Sequence, residues 1–141
     1  MTEYVFVDTN ILIYAHSLDN HDPRADQARA ALAELWRTDS GVLSSQVLQE
    51  FHSVATKKFN LAPEQARALV AAYGEWCSVN TDVGLIVSGS KLAEEHSISY
   101  WDALIIEAAL RANASTLLSE DLQHGRKFGD LVVHNPFTDE P

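Results

Sequence analysis

The stretch Val5-Phe6-Val7-Asp8-Thr9-Asn10-Ile11-Leu12-Ile13-Tyr14 decides how the chain is read. Val5, Phe6 and Val7 are apolar and favour extended structure, so residues 3–8 are expected as a short buried strand. From Thr9 the pattern suits a helix, expected to run to His16. A single aspartate separates the two. Aspartate is a favoured N-cap, and Asp8 is positioned to accept the amide of Asn10 or Ile11. A site explains the same carboxylate equally well. In open parallel sheets, ligands bind at the carboxyl ends of strands, beside helix N-termini.

Outward from that stretch the alternation repeats. Leu18–Asp22 is polar and reads as a loop. Pro23 suits a first helical position after Asp22 as cap, and Ala25–Arg37 is a strong helix former. Strands are expected at Gly41–Ser44, weakly at Cys77–Asn80, at Ser115–Leu118 and at Leu131–His134. Helices are expected at Ser45–Phe59, from Pro63 to about Trp76, from a cap at Thr81 or Asp82 to about His96, and at Ser99–Asn113. Strands alternating with helices predict an α/β fold with a mostly parallel sheet covered on both faces. No repeat or linker interrupts the pattern, so residues 1–141 are expected as one domain.

Composition narrows the function. The 141 residues are 46% hydrophobic, enough for a sizeable core. Acids outnumber Lys plus Arg by 20 to 10, for a formal charge of −10. That argues against coating nucleic acid through a basic surface. It leaves room for an enzyme that grips phosphates locally or through metal ions. No apolar run approaches the ~18 residues of a membrane span, and "MTEYVF" lacks the basic region of a signal peptide. Cys77 is the only cysteine, which fits a reducing, cytoplasmic setting.

Three further acids stand where acids are awkward. Glu50 is three residues after Val47 and four before Val54, on the apolar stripe of its helix. No Lys or Arg lies three or four residues away to neutralise it. Asp102 opens the run Tyr100-Trp101-Asp102-Ala103-Leu104-Ile105-Ile106, and a capping box with Ser99 explains it as readily as a site does. Asp121 follows the strand at Ser115–Leu118, as Asp8 follows the first strand, with Glu120 as a competing acid. In a parallel α/β sheet these positions converge on one edge. Two like charges ~4 Å apart repel by roughly 4 kcal/mol at an effective dielectric near 20. A converged cluster therefore binds protons or a cation. All-oxygen ligands suit Mg²⁺ or Mn²⁺, which can orient a phosphodiester and activate water.

With these residues in place, the chain resembles the PIN-domain ribonucleases, in particular the VapC-type toxins of toxin–antitoxin pairs. The resemblance is carried by "VFVDTNILIYA", "SSQVLQEF", "SISYWDALIIEAA", "LLSEDLQHG" and "LVVHNPF", and spans essentially the whole chain. It implies a three-layer α/β/α sandwich and a Mg²⁺- or Mn²⁺-dependent endoribonuclease acting on structured RNA. The family's acidic quartet falls on Asp8, Glu50, Asp102 and Asp121, and its small polar residues fall on Thr9 and Ser119. By the same resemblance, Asp8 and Asp102 bind the metal directly, Glu50 completes its shell, and Asp121 holds a second ion or the water around the first. A cognate antitoxin and a homodimer are implied as partners. His124, Arg126 and Lys127 lie just beyond Asp121, and each reads either as an RNA contact or as part of an exposed basic turn. Lys57 and Lys58 carry the same two readings.

Other motifs fall short. Gly84 to Lys91 is a near miss to a P-loop, with Ser-Lys in reversed order, and reads as a helix whose two glycines allow close packing. The histidines lack zinc spacing. Trp36, Trp76 and Trp101 read as core or interface residues. An acidic-pocket binding module of the response-regulator type wants paired acids at the first strand and a partner lysine near the last. A phosphohydrolase with Asp8 as nucleophile wants an aspartate where Asn10 stands.

Overall fold

The computed structural model describes residues 3–18 and 21–138. The chain runs β1 (Tyr4–Val7), α1 (Thr9–Ala15), α2 (Pro23–Thr38), β2 (Gly41–Ser44), α3 (Ser45–Lys57), α4 (Pro63–Tyr73), a 3₁₀ turn (Gly74–Trp76) and β3 (Cys77–Val79). It continues through α5 (Val83–His96), α6 (Tyr100–Arg111), β4 (Ala114–Leu118), β5 (Lys127–Phe128) and β6 (Leu131–His134). Of the loop expected at Leu18–Asp22, residues 19 and 20 lie outside the described residues.

The strands form one sheet in the order β3-β2-β1-β4-β6-β5. Every pairing is parallel except that of β5 with β6. Helices α1 to α4 pack in the pairs α1–α2, α1–α3 and α3–α4, while α5 and α6 form a second pair with α6 on β2 and β4. The result is a three-layer α/β/α sandwich with Phe6, Val7, Leu43, Leu117 and Val133 buried in the middle. All four residues of β2 are buried, as a strand covered on both faces requires.

Caps set the helix starts. Asp22, Ser44, Asp82 and Ser99 each accept a backbone N–H of the helix that follows. Of the two candidate caps before α5, Asp82 is the one used, accepting from Leu85 at 2.7 Å. The helix expected to Trp76 stops at Tyr73 and tightens into the 3₁₀ turn. That turn seats the buried Trp76 ring against Gly41, where an added Cβ would lie 2.7 Å from the indole. Within the P-loop-like stretch, Gly89 does allow close packing, with a Cβ reaching 2.7 Å from Leu104. Gly84 faces only the Arg111 guanidinium and the Asp82 carboxylate.

The short strand β5 was not expected. It pairs with β6 through a two-residue turn, Gly129-Asp130, with Gly129 at φ 60°. Glycine at the first turn position with positive φ is the signature of a type II′ hairpin. The dipeptide carried that signal, but a two-residue strand is too short to show periodicity.

Candidate active site

β1 is the topological switch point of the sheet: the chain leaves it for β2 on one side and returns to β4 on the other. The ladder carries on past the strand ends. Asp8 N–H donates to the Leu118 carbonyl at 3.0 Å, and Ser119 N–H to the His134 carbonyl at 3.1 Å. Asp8 and Ser119, 111 residues apart in sequence, therefore stand side by side, and the Ser119 hydroxyl donates to Asp8 Oδ2 at 2.8 Å. Asp8 Oδ1 accepts Thr9 N–H at 2.8 Å, and not the amides of Asn10 or Ile11. Asp8 does cap α1, as expected, and it does so from a buried position, 6% exposed.

That burial has an electrostatic cost. Desolvation pushes the Asp8 carboxyl up to about 7 against the hydrogen bonds from Ser119 and Thr9, with the charges of Asp121 and Glu50 adding to the rise. Asp121, in the loop after β4, is raised by desolvation in the same direction, with Asp102, Glu120 and Glu50 adding. Its N–H donates to the Ser119 hydroxyl at 3.2 Å. One serine thus holds both Asp8 and the Asp121 backbone.

Glu50 is half-buried on α3 and is satisfied by neutral donors. Thr9 Oγ1 donates to Glu50 Oε2 at 2.8 Å and the Gln46 amide to Oε1 at 3.0 Å. The same Gln46 amide reaches the Trp101 carbonyl at 3.5 Å, linking α3 to the start of α6. Asp102 sits in the first turn of α6, where the helix dipole favours a negative charge. Its N–H donates to Ser99 Oγ at 3.1 Å. The capping reading and the site reading of Asp102 therefore coexist.

The four acids are linked through charge in a chain: Asp8 feels Glu50 and Asp121, and Asp121 feels Asp102 and Glu50. Among the described residues none of the four is paired with a Lys or Arg. Nor, among the described residues, do three acid, histidine or cysteine side chains gather closely enough to clasp an ion as they stand. The cluster is coupled through charge and is not a preformed coordination shell. Its donor set is all oxygen, each carboxylate oxygen keeps a second lone pair beyond its hydrogen bond, and Asp8 is held near its protonation point by burial. These properties fit a hard divalent cation.

Glu120 points elsewhere. It accepts Tyr14 Oη–H at 2.8 Å and the Arg24 guanidinium at 3.4 Å. Arg24 is also bound to Asp22 and lies 4.4 Å over the Tyr14 ring. Its charge is answered by this latch between α1, the start of α2 and the loop after β4. Beyond Asp121, His124 Nδ1 accepts Asn135 N–H at 3.0 Å. Arg126 donates to the His96 carbonyl at 2.9 Å and lies over the Phe128 ring. Both side chains have packing roles within the fold, while Lys127 is exposed on β5.

Two residues of the site were missed from the sequence. Gln46 could have been found by its spacing, four residues before Glu50 on the same helix face. Asn10 gave no such signal. Both polar atoms of its side chain are buried without a well-formed hydrogen bond. The amide nevertheless lies near enough to Asp121 to favour that carboxylate's charged form. A hollow of about 390 Å³ between α1 and α3 is lined by Thr9, Asn10, Glu50 and Asp121 at one end and by Ile13, Tyr14, Val54 and Phe59 elsewhere. A larger hollow of about 740 Å³ between α3 and α4 holds none of the acids, so chemistry and not size marks the site.

A small α/β/α domain with uncompensated carboxylates at the switch point of its sheet is the class of molecule that emerges. The family model of the PIN domain matches residues 5–127, and the chain belongs to that family. Similar solved structures include a toxin–antitoxin complex from Klebsiella pneumoniae, at TM-score 0.69 and 21% identity, covering 94% of this chain and 98% of that one. VapBC2 from Rickettsia felis, bound to a DNA fragment from its promoter, aligns at TM-score 0.63 and 22% identity over 94% and 98%. Mycobacterium tuberculosis VapC20, a sarcin–ricin loop cleaving toxin, aligns at 0.61 and 18% over 83% and 91%. At these identities the likeness is one of fold. No curated protein matches the chain. No described helix is long and apolar enough to cross a membrane.

Proposed function

We propose that this chain is a metal-dependent endoribonuclease acting on structured RNA, and the toxin of a toxin–antitoxin pair whose antitoxin covers the acidic site. The observation that carries the reading is the buried, doubly hydrogen-bonded Asp8 within the field of Glu50 and Asp121. Membership of the PIN domain family supports it. So does the fold shared with structures described as VapBC complexes and as a sarcin–ricin loop cleaving toxin. The same reading carries with it one domain over residues 1–141, a homodimer and a cytoplasmic setting.

In this mechanism Asp8 and Asp102 would hold Mg²⁺ or Mn²⁺ directly, Glu50 would complete the shell, and Asp121 would hold a second ion or ordered water. When bound, the ion supplies charge neutralisation and Lewis acidity at the phosphodiester. The remaining work belongs to the protein. Ser119 and the Thr9 N–H fix both oxygens of Asp8, so its carboxylate cannot rotate away from the strand edge. The Thr9 hydroxyl and Gln46 aim Glu50 from the opposite wall.

The test is cleavage of transfer and ribosomal RNA by the purified chain with Mg²⁺ or Mn²⁺, then with chelator. Asp8→Asn is expected to lower cleavage by ~10³-fold or more while its circular dichroism matches that of the parent. Chelator-insensitive cleavage, or full activity in the variant, overturns the mechanism.

A further inference from the structure

We propose that the hollow between α1 and α3 is a nucleobase subsite, in which an unstacked base of the RNA strand lies against Phe59 while Lys57 and Lys58 meet the neighbouring phosphates. The inference rests on the nuclease reading and deepens it. Three independent features support it.

The first is the shape and chemistry of the hollow. At about 390 Å³ it is within the range of small-ligand pockets. One end is acidic and the rest is apolar and aromatic. A neutral planar base offers amino hydrogens to the acids and π-faces to the walls, whereas a phosphate or an acidic side chain would be repelled there.

The second is Asn10. Its amide lines this hollow, and both its nitrogen and its oxygen are buried without a well-formed hydrogen bond. Its amino group lies toward the Asp121 carboxylate, which leaves the carbonyl oxygen as the buried atom without a donor. An amino group on a base edge is the donor that this oxygen lacks.

The third is the run Lys57-Lys58-Phe59 at the end of α3. Phe59 lines the hollow and is 44% exposed, so its ring is open to a stacking partner. Among the described residues neither Lys57 nor Lys58 makes an ion pair, although the chain carries 20 acids. Exposed aromatics interleaved with free cations are how single-stranded RNA is tracked, base on ring and phosphate on ammonium. An apolar segment of a protein partner would fill the walls of this hollow as well, but it would leave the two lysines and the amide unanswered.

The test is steady-state cleavage of fluorogenic hairpin RNAs with Mn²⁺, with an abasic nucleotide stepped through the single-stranded loop. Phe59→Ala is expected to raise KM by ~5- to 100-fold, the range for loss of one base-stacking contact. Mn²⁺ affinity, measured by calorimetry, stays at the parental value, and Phe59→Trp retains the parental KM. One abasic position is expected to raise the parental KM and to erase the difference between parent and Phe59→Ala. An unchanged KM in Phe59→Ala, with cleavage intact, overturns the subsite alone. So does a variant whose only defect is weaker capture by a co-expressed protein partner, which makes the hollow a protein-docking groove. Absence of any Mn²⁺-dependent cleavage by the parent removes the nuclease reading, and the subsite with it.

Discussion

Asp8 brings the opposing forces at the site into one side chain. Two hydrogen bonds favour its charge, but burial and two neighbouring acids oppose it and prevail. A carboxyl raised in the folded state contributes its stability below the unfolded value, near 3.8, and that contribution is lost as pH rises through about 7. In chelator, the folded chain is therefore expected to lose up to ~4 kcal/mol between pH 4 and pH 8 from this group. Asp8→Asn is expected to flatten that slope in urea melts taken across the range. A variant as pH-sensitive as the parent would show that Asp8 is not the residue responsible. At this scale the sequence showed the acids and concealed their supports. Asp8, Glu50, Asp102 and Asp121 were legible because each breaks an apolar pattern or ends a strand. Ser119 was legible only through the family resemblance. The different surroundings of Asp121 and Glu120 were invisible, because Glu120 is held by Tyr14 and Arg24, which lie 106 and 96 residues away in sequence.

Among the elements, β2 and the 3₁₀ turn are the most tightly constrained pair. Gly41 gives the Trp76 ring its seat, and Trp36 stacks on that ring from outside at 4.3 Å between centroids. Trp76 is a core residue, one of the two readings of the sequence, while Trp36 and Trp101 are exposed at 39% and 65%. A methyl group at Gly41 meets a rigid indole on a strand that cannot move aside. Gly41→Ala is accordingly expected to destabilise the fold by ~1–3 kcal/mol, the usual penalty for overpacking a core, read as a lower urea midpoint with unchanged slope. Helix starts were legible from their caps, Asp22 and Ser99 among them, while the Ser44 cap of α3 was read only as the end of a strand. Helix ends were less so: α3 stops at Lys57 and α6 at Arg111, short of the expected Phe59 and Asn113. Asn113 takes a positive φ of 57° just past the end of α6, a role asparagine tolerates. Apolar periodicity marks which face of a helix is buried but carries no mark for its last hydrogen bond.

For the whole molecule, the charge of −10 and the acidic pocket act together. On the nuclease reading, long-range repulsion would keep RNA off most of the surface, so productive approach would depend on bound metal ions or on the lysines that make no ion pair among the described residues. Expression of the chain alone is expected to arrest growth of the host, and Asp8→Asn to restore colony counts to those of an empty vector. Equal growth with either form would refute the toxin reading. The pairing of Asp8 with Ser119 also bears on how the protein is made. β1 lies at the centre of the sheet and is made before the other described strands, yet the partner that fixes Asp8 at its end lies 111 residues downstream. A nascent or truncated chain lacking β4 holds Asp8 and Glu50 without Ser119 or Asp121. Translation therefore acts as a delay line, and the acidic centre closes only after β4 and Ser119 have been made, the latter 111 residues behind Asp8.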